Sequence, residues 1–531
     1  MAVVDQLNGF ILCIVVAGVL LLMLVKLLAI TVDPREPPLL TTKIPLIGHL
    51  IGLLWYQSGY YHCLLYEFDP TFQSSILTSK DRADKPVPAF TLNVLTSKIY
   101  VISSPALVQA AMRSRNLDFE PFIVAVADRM LRVSPEAMET VRGTSADPKE
   151  PTYLREVHNV MHSTMQPGAG LLEMNTRVLH TLGGYANDIG KEWEGRNLYR
   201  WVRDSFTIAA ARSLYGPYNI IEKDPSLIDH LWNFDADQLW LLAGRFPSVF
   251  APKACKARDA LQLAFQEYYT AGHDRDASTL VRGRNAMARK WNISIFDIAQ
   301  FEVTILFVAT TNAIPSVFWL LVYILSDPQL VQEVRNEVLA ITTFLGREAT
   351  VDIARFNTHC PVLSSAYNES LRLTNAQVSA RCVAADTVLS DSVTGDTFLL
   401  KKGNVVQMPS GLQHTSTHVW GANAGSFDAY RFMRREGAMK EERKAQTQGF
   451  FPFGGAKHLC PGRSFALAEI LGMVSVLVLG FDFRSENGKV HVPPGKPHAF
   501  GEAVQKPMYD IPVQVRRRKE FEDIQWKFNV G

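Results

Sequence analysis

The sequence predicts a mainly α fold with a small β portion. Three observations carry that expectation. From about residue 173 onward most segments show helical period. One segment, from about Ile293 to Ser326, is apolar on nearly every face, with the interior FEVTILFVATTNAIPSVFWLLVYIL. A helix hydrophobic all round is either a membrane span or the centre of a large fold. The strand-like pieces, by contrast, are short and scattered. Composition excludes other classes. With 47% hydrophobic and 10% aromatic residues in 531, the chain is not disordered. A net charge of +2 argues against a nucleic-acid partner. Six cysteines over this length make no disulfide framework.

The first element is an apolar run from Gly9 to Val25 that resumes after Lys26 and ends at Val32. From Gly9 to Ile30 a helix would be about 33 Å long, enough to cross a hydrocarbon core of about 30 Å. Asp5 is the only charge ahead of it, and Lys26, Arg35 and Lys43 follow. A cleaved signal peptide would have a shorter run, basic residues before it and small residues at a cut site. The reading is a retained, single-pass signal anchor over 1–32, with the body facing the cytoplasm. Residues 33–48 then read as a Pro-rich lead, from Asp33-Pro-Arg-Glu-Pro-Pro38 to Lys43-Ile-Pro45-Leu-Ile-Gly48. Such spacing suggests a semi-rigid extended segment or a plain linker. No long break follows, so 49–531 reads as one domain.

Within the body, FTLNVL (90–95) and KIYVIS (98–103) read as paired strands. Ser104-Pro105 caps and opens the helix ALVQAAMRS. In the long apolar segment Glu302, Thr304, Thr310, Thr311, Asn312 and Pro315 interrupt the pattern. That favours a central core helix, with a second membrane span as the alternative. Pro315 should bend it by removing a backbone donor. TVLS (387–390), TFLL (397–400) and NVVQM (404–408) are strand-like. The end, MYDIPVQVRRRK, reads as a strand followed by a basic, solvated stop.

Cys13 lies in the anchor, and Cys63, Cys255, Cys360 and Cys382 sit singly in ordinary stretches. Cys460 differs. It ends Phe451-Pro-Phe453-Gly454-Gly455-Ala-Lys457-His458-Leu-Cys460, and Pro461-Gly462-Arg463 leads into SFALAEILGMVSVLVLGF. The glycines allow close backbone approach. Pro461 suits the first position of a helix that its apolar sequence would bury. Cys460 then sits at a buried helix N-terminus, which favours a thiolate. A buried thiolate needs a counter-charge, and a metal supplies one. Zinc would call on His414, His418 and His458, but no second Cys is near. Haem iron needs only one axial thiolate.

The loop resembles the haem-binding signature of the cytochromes P-450, with Phe453, His458, Cys460 and Gly462 at the signature positions. Ala456 stands where that family usually has Gly. Two more motifs agree. Glu369-Ser-Leu-Arg372 resembles the family's Glu-x-x-Arg helix, and Phe427-Asp-Ala-Tyr-Arg431-Phe432 resembles its meander. The resemblance implies the P-450 fold, with haem b between the long central helix and the Cys-ligand loop and helix. It implies Cys460 as axial iron ligand, and Glu369, Arg372 and Arg431 as a structural triad. It places Arg381 and His458 against haem propionates. The family's Trp-x-x-x-Arg is missing around Tyr153–Met165.

In the central helix the family's acid and alcohol positions fall on Thr311 and Asn312, the candidates for catalytic proton delivery. The pattern Ala309-x-x-Asn312-x-x-Pro315-x-x-Phe318-Trp319 is similar to the branch holding sterol 7-hydroxylases and prostacyclin synthases. The Cys loop is similar to those of fungal natural-product members. The resemblance implies a monomeric microsomal enzyme of the endoplasmic reticulum membrane. Its electrons would come from NADPH through NADPH–cytochrome P-450 reductase. One oxygen atom from O2 would enter an apolar substrate, such as a steroid, a terpenoid or another secondary metabolite. Lys457 and Arg463 offer a basic face to an acidic partner. Pocket walls are expected at Phe119–Met130, Val308–Asn312, Thr374–Ser379 and Phe500–Val504. Two alternatives stay open: a reductase-independent peroxide isomerase, and a haem-bearing binding protein without turnover.

Overall fold

The computed structural model describes residues 32–531 apart from 43, 45–46, 66–86, 146–149, 434–439 and 487. The expected anchor, apart from Val32, lies outside the described residues. Short-range capping sets several helix starts. Ser104 Oγ accepts from the Leu107 N–H at the head of α1 (Pro105–Arg113), with Pro105 in its first turn. Thr152 does the same for α2 (Tyr153–Met165). Four further helices are α3 (Ala169–Asn187), α4 (Leu198–Tyr215), α5 (Leu227–Ala236) and α6 (Pro252–Thr270). Ser294 caps α7 (Ile295–Thr310), which leads to α8 (Ala313–Leu325). The site is completed by α9 (Pro361–Thr374) and α10 (Arg463–Gly480).

The long apolar segment is two helices, broken at Thr311-Asn312. Pro315 has no N–H to give the Thr311 carbonyl, and its ring crowds that carbonyl. Beyond the break, Ala313 through Val322 are all buried, because α8 packs on α4, α9 and α10. The α7–α8 segment and α10 are both long and apolar enough to cross a bilayer. Yet 72% and 78% of their most apolar windows are buried within the fold. They are core helices, and the second membrane span is set aside.

One sheet joins β1 (Leu39–Leu40), β2 (Ala89–Val94), β3 (Ser97–Ile102), β4 (Leu117–Asp118), β5 (Val378–Val383) and β6 (Val405–Pro409). Its spatial order is β1-β2-β3-β6-β5-β4. β2 and β3 form the expected antiparallel pair. β6 runs parallel to β3 and antiparallel to β5, which brings Arg381 into the sheet beside the Cys loop's neighbourhood. Thr387–Ser390 and Thr397–Leu400 pair as a separate hairpin.

Two expectations need correction. The lead is not a plain linker in its first half. Glu36 is buried, bridges to Lys98 Nζ at 2.9 Å and accepts from the Tyr100 hydroxyl. The Thr91 N–H donates to the Pro38 carbonyl at 2.8 Å, and β1 pairs with β2. Residues 33–40 are thus docked on the sheet by a buried charge that the prolines obscure. Nor is the basic end a solvated stop. Pro512–Arg517 pairs with Phe481–Arg484 and Glu194–Asn197. Arg517 is buried and donates to the carbonyls of Asn187, Ile189 and Ile524. The chain then continues, and Gln525–Asn529 pairs in parallel with Glu348–Asp352.

Candidate active site

The Cys460 loop is built from tight backbone turns. Gly454 has φ +73°, in the left-handed region that suits glycine. Ala456 has φ +52° and bears the steric penalty of that region, about 1–2 kcal/mol. A Cβ on Gly455 would lie 2.5 Å from Met112 Sδ, so this glycine admits α1. The Cys460 N–H closes the loop on the Phe453 carbonyl at 2.9 Å. Helix α10 starts at Arg463. Pro461 therefore belongs to the turn before the helix and does not open it. A Cβ on Gly462 would stand 3.8 Å from Cys460 Sγ and 3.6 Å from Met165 Cε. Burial pushes the Cys460 thiol up, against the Gly462 N–H, the Arg463 charge and the Arg463 N–H. The helix start thus favours a thiolate, as expected, but burial outweighs it. A thiolate here requires a further positive charge, as a bound metal would supply.

His414 does not serve that purpose. It is buried, its Nδ1 lies 3.1 Å from the Asn375 carbonyl, and its Nε2 accepts from the Phe451 N–H at 3.3 Å. With both nitrogens engaged the ring is neutral, and burial pushes its pKa down to about 3. Among the described residues no group of three or more His, Cys, Asp or Glu is gathered to hold a metal ion. The zinc alternative falls with these two observations. A single-thiol group remains.

Behind the loop lies a dense charged network. Arg372 and Glu369 are fully buried and meet through two bonds of 2.7 Å. Arg372 also donates to the carbonyls of His414 and Ala424 and lies over the Trp420 ring. Arg431 Nε reaches Glu369 at 2.9 Å. Its other nitrogens reach the carbonyls of Trp420, Asn423 and Ser426 and the Asn423 side chain. The structure therefore brings Glu369, Arg372 and Arg431 into one cluster, with carbonyls filling the remaining donor directions. These bonds tie α9 to the segment from Trp420 to Arg431.

A second basic cluster is built differently. Arg381 is 3% exposed, donates to the adjacent Ala380 carbonyl and lies over the Phe119 ring. Burial pulls its pKa down to about 10. His458 packs on Phe119, and its buried Nε2 has no hydrogen-bond partner among the described residues. Burial, then Arg381 and Lys457, push its pKa down to about 4. One buried cation, Arg381, and an orphaned imidazole nitrogen fit the carboxylates of haem. Cys460 fits its iron, and Arg381 and His458 would hold its carboxylates.

On α7, Val308 is 53% exposed while Leu306 and Thr310 are buried. Thr311 is buried, and its hydroxyl donates to the Phe307 carbonyl at 2.9 Å. Its proton is thus turned back on the helix, leaving its lone pairs for any other contact. Asn312 is half-buried at the helix break. Two of the expected walls are joined. The Ala376 N–H donates to the Ala503 carbonyl at 3.1 Å, and the Gln505 N–H to the Thr374 carbonyl at 2.8 Å. The wall ending at Met130 is held from α6, where Arg258 and Gln262 donate to the carbonyls of Met130 and Leu131.

Sequence reasoning missed Asn375, whose side chain donates to the Pro452 carbonyl and accepts from Ser410. An Asn just past a helix end is a common cap, and nothing local marks it as a hub. Glu469 was missed too. It is buried on α10, and burial holds its carboxyl well above the usual range. Its position within an apolar run was the available signal.

Comparison with known proteins agrees with this geometry. The family model described as Cytochrome P450 matches residues 268–511. A cytochrome P450 monooxygenase of Gibberella zeae is 31% identical over 94% of this chain and 92% of its own. Cytochrome P450 monooxygenase nodJ of Hypoxylon pulicicidum is 30% identical over 94% and 93%. A rabbit (Oryctolagus cuniculus) 7-alpha-hydroxycholest-4-en-3-one 12-alpha-hydroxylase is 23% identical over 91% and 93%. The solved structure of retinoic acid bound cyanobacterial CYP120A1 superposes with a TM-score of 0.64 at 16% identity, covering 92% of this chain and all of that one.

Proposed function

This chain belongs to the cytochrome P450 family and is a cytochrome P450 monooxygenase; on that premise we propose that it is anchored in the endoplasmic reticulum membrane and oxygenates an apolar secondary metabolite. The observation that carries the reading is the lone Cys460 thiol, poised at the start of a buried helix beside an unbalanced basic cluster. The chain is an N-terminal anchor over 1–32 followed by one haem domain, which takes in the docked segment 33–40. Apolar surface supports membrane contact: Ile51, Leu54 and Trp55 are exposed just after the lead, and Trp240, Phe246, Val249 and Phe250 elsewhere. Electrons come from NADPH through a membrane reductase, which meets a basic face that includes half-exposed Lys457.

Haem held by Cys460, Arg381 and His458 would supply the oxygen chemistry, and a cysteine thiolate on its iron would favour O–O cleavage. The chain's own residues do the rest. The loop from Phe453 to Gly462 holds the Cys460 sulfur. Arg381 and His458 hold the haem carboxylates. The break at Thr311-Asn312 interrupts an otherwise dry helix and gives the Asn312 carboxamide room to hold a water. The Thr311 lone pairs and the Asn312 carboxamide would position that water, which itself would carry the proton. The walls at Phe119–Met130, Val308–Asn312, Thr374–Ser379 and Phe500–Val504 are mainly apolar, which suits a steroid, a terpenoid or a similar ligand. A sterol-hydroxylase relative and fungal monooxygenase relatives support that class.

One observation favours a second reading. The Thr311 hydroxyl proton is committed to Phe307, and Asn312 replaces the alcohol expected of a proton relay. Rearrangement of a peroxide needs no such relay. The test is to incubate membranes bearing the protein with candidate lipids, with and without NADPH and reductase, and to follow products by mass spectrometry. A gain of one oxygen only with NADPH is the expected result. Conversion of a peroxide without NADPH overturns it for the isomerase. Tight ligand spectral shifts without any conversion overturn both for a binding role.

A further inference from the structure

Adjacent residues of α5 join it to two of the proposed pocket walls, and they do so in different ways. Phe234 meets Phe307 of α7 with ring centroids 5.5 Å apart and planes nearly perpendicular. Phe307 immediately precedes Val308, which stands exposed on α7. The next residue of α5, Asp235, is buried and pairs with Lys506 Nζ, two residues past the wall at Phe500–Val504. Glu502 Oε1 holds the same ammonium at 2.6 Å, and the centre of the Trp232 ring, also on α5, lies 5.5 Å from it. Burial works against the Lys506 charge, and the two carboxylates outweigh it. Gly501, with φ +93°, lets the turn come close to Gln238, because a Cβ there would lie 3.0 Å from that side chain. Gln238 donates to the second Asp235 oxygen at 3.2 Å. The turn itself is fixed from behind, where the Trp319 Nε1–H donates to the Gln505 carbonyl at 2.6 Å.

A buried ion pair adds little net stability over an apolar contact of the same size. What it adds is a joint that can part without exposing apolar surface. When Asp235 and Lys506 separate, Lys506 keeps Glu502, Asp235 keeps Gln238, and water solvates the rest. We propose that the Asp235–Lys506–Glu502 cluster is a clasp that closes α5 over the pocket, and that a bulky apolar ligand enters and leaves only when Asp235 and Lys506 part. This rests on the haem-thiolate reading above, which places the pocket between these walls. The clasp is intact in the empty and in the filled pocket and broken in the passage between them. It therefore sets the rates of entry and exit together and leaves the affinity nearly unchanged.

The test uses the purified, haem-loaded protein and two iron-binding azoles, small imidazole and bulky clotrimazole, followed by stopped-flow absorbance of the haem. Asp235→Asn leaves Lys506 paired with Glu502, so no bare charge is buried. It should speed clotrimazole association and dissociation each by about tenfold, within the usual coupling of a contacting pair. The dissociation constant should move by less than about threefold, and the imidazole rates by less than about twofold. Lys506→Met should act in the same direction, and the double variant should show less than the product of the two effects. Lys506→Arg keeps the cation and should stay within about threefold of the parent. Parent-like clotrimazole rates in both Asp235→Asn and Lys506→Met overturn the proposal. So does a weaker affinity at an unchanged association rate, which would make the cluster part of the packed wall and not its clasp. An equal gain for imidazole overturns it too, since the haem site itself would then have loosened. If one variant does not fold, the other decides, with Lys506→Arg beside it. A parent that takes up no haem, or whose haem answers neither azole, overturns the haem-thiolate reading itself, and the clasp with it.

Discussion

Two regions of the molecule bury arginine, and they do it in opposite ways. Arg372 and Arg431 are matched by Glu369 and by carbonyls on all sides. Among the described residues Arg381 has its neighbouring carbonyl, an aromatic face and the nearby charge of Asp118, with no ion pair. A saturated network of buried charge is finished as it stands, and its work is to hold α9 and the meander together. An unsaturated one is built for something else to complete. The contrast separates scaffold from site more sharply than residue type does, since both regions use arginine within one stretch of α9 and β5.

The largest effect that can break this contrast lies at Glu369. Glu369→Ala leaves two buried guanidinium groups without a counter-charge and should cost about 3–5 kcal/mol. Urea unfolding should show it, together with little haem-bearing protein. A loss near zero would mean the network is not closed. Arg381→Leu should do the reverse. It removes a buried cation with no ion-pair partner among the described residues, the Asp118 charge reaching it only partly offsetting burial, so unfolding of the haem-free protein should be unchanged or improved. Haem loss from the holoenzyme should be about tenfold faster.

His414 joins the two regions, because its carbonyl accepts from Arg372 and its ring from the Phe451 N–H. Its pKa is pushed down to about 3 by burial. The unfolded chain takes up a proton at this residue below about pH 6.5, while the native state refuses it until about 3. Stability is therefore full above the unfolded value and falls as pH drops through it. Between about pH 7 and about pH 5.5 this one group should remove about 1 kcal/mol. His414→Gln should flatten that part of the thermal-unfolding profile by the same amount. The smallest effect is at the open region's loop. Ala456→Gly relieves a left-handed alanine and should stabilise by about 1 kcal/mol or less, with the haem spectrum unchanged.

How much of this was legible in the sequence differs between the same regions. The Glu369 to Arg372 spacing, the Arg431 context and the Cys460 loop are short-range patterns and stand out on reading. The break at Thr311-Asn312 follows from Pro315 alone. What stayed hidden depends on contacts between distant segments. Glu36 looks like a solvated charge between prolines until Lys98 and Tyr100 close on it. Arg517 cannot be told from Arg516 and Arg518 by type, yet it is the one whose donors fill four carbonyls. Short-range order marks the chemistry, and long-range packing decides which charges are finished.

The most direct test of the account concerns Cys460. The parent protein, reduced and exposed to carbon monoxide, should absorb near about 450 nm, as a thiolate-ligated haem does. Cys360→Ser, which alters a buried but structural thiol, should keep that band. Cys460→Ala should lose it while the haem carboxylate contacts remain in place. A Cys460→Ala protein that retains the band would contradict the assignment of Cys460 as the iron ligand, and with it the reading of the open basic cluster as the edge of a haem site.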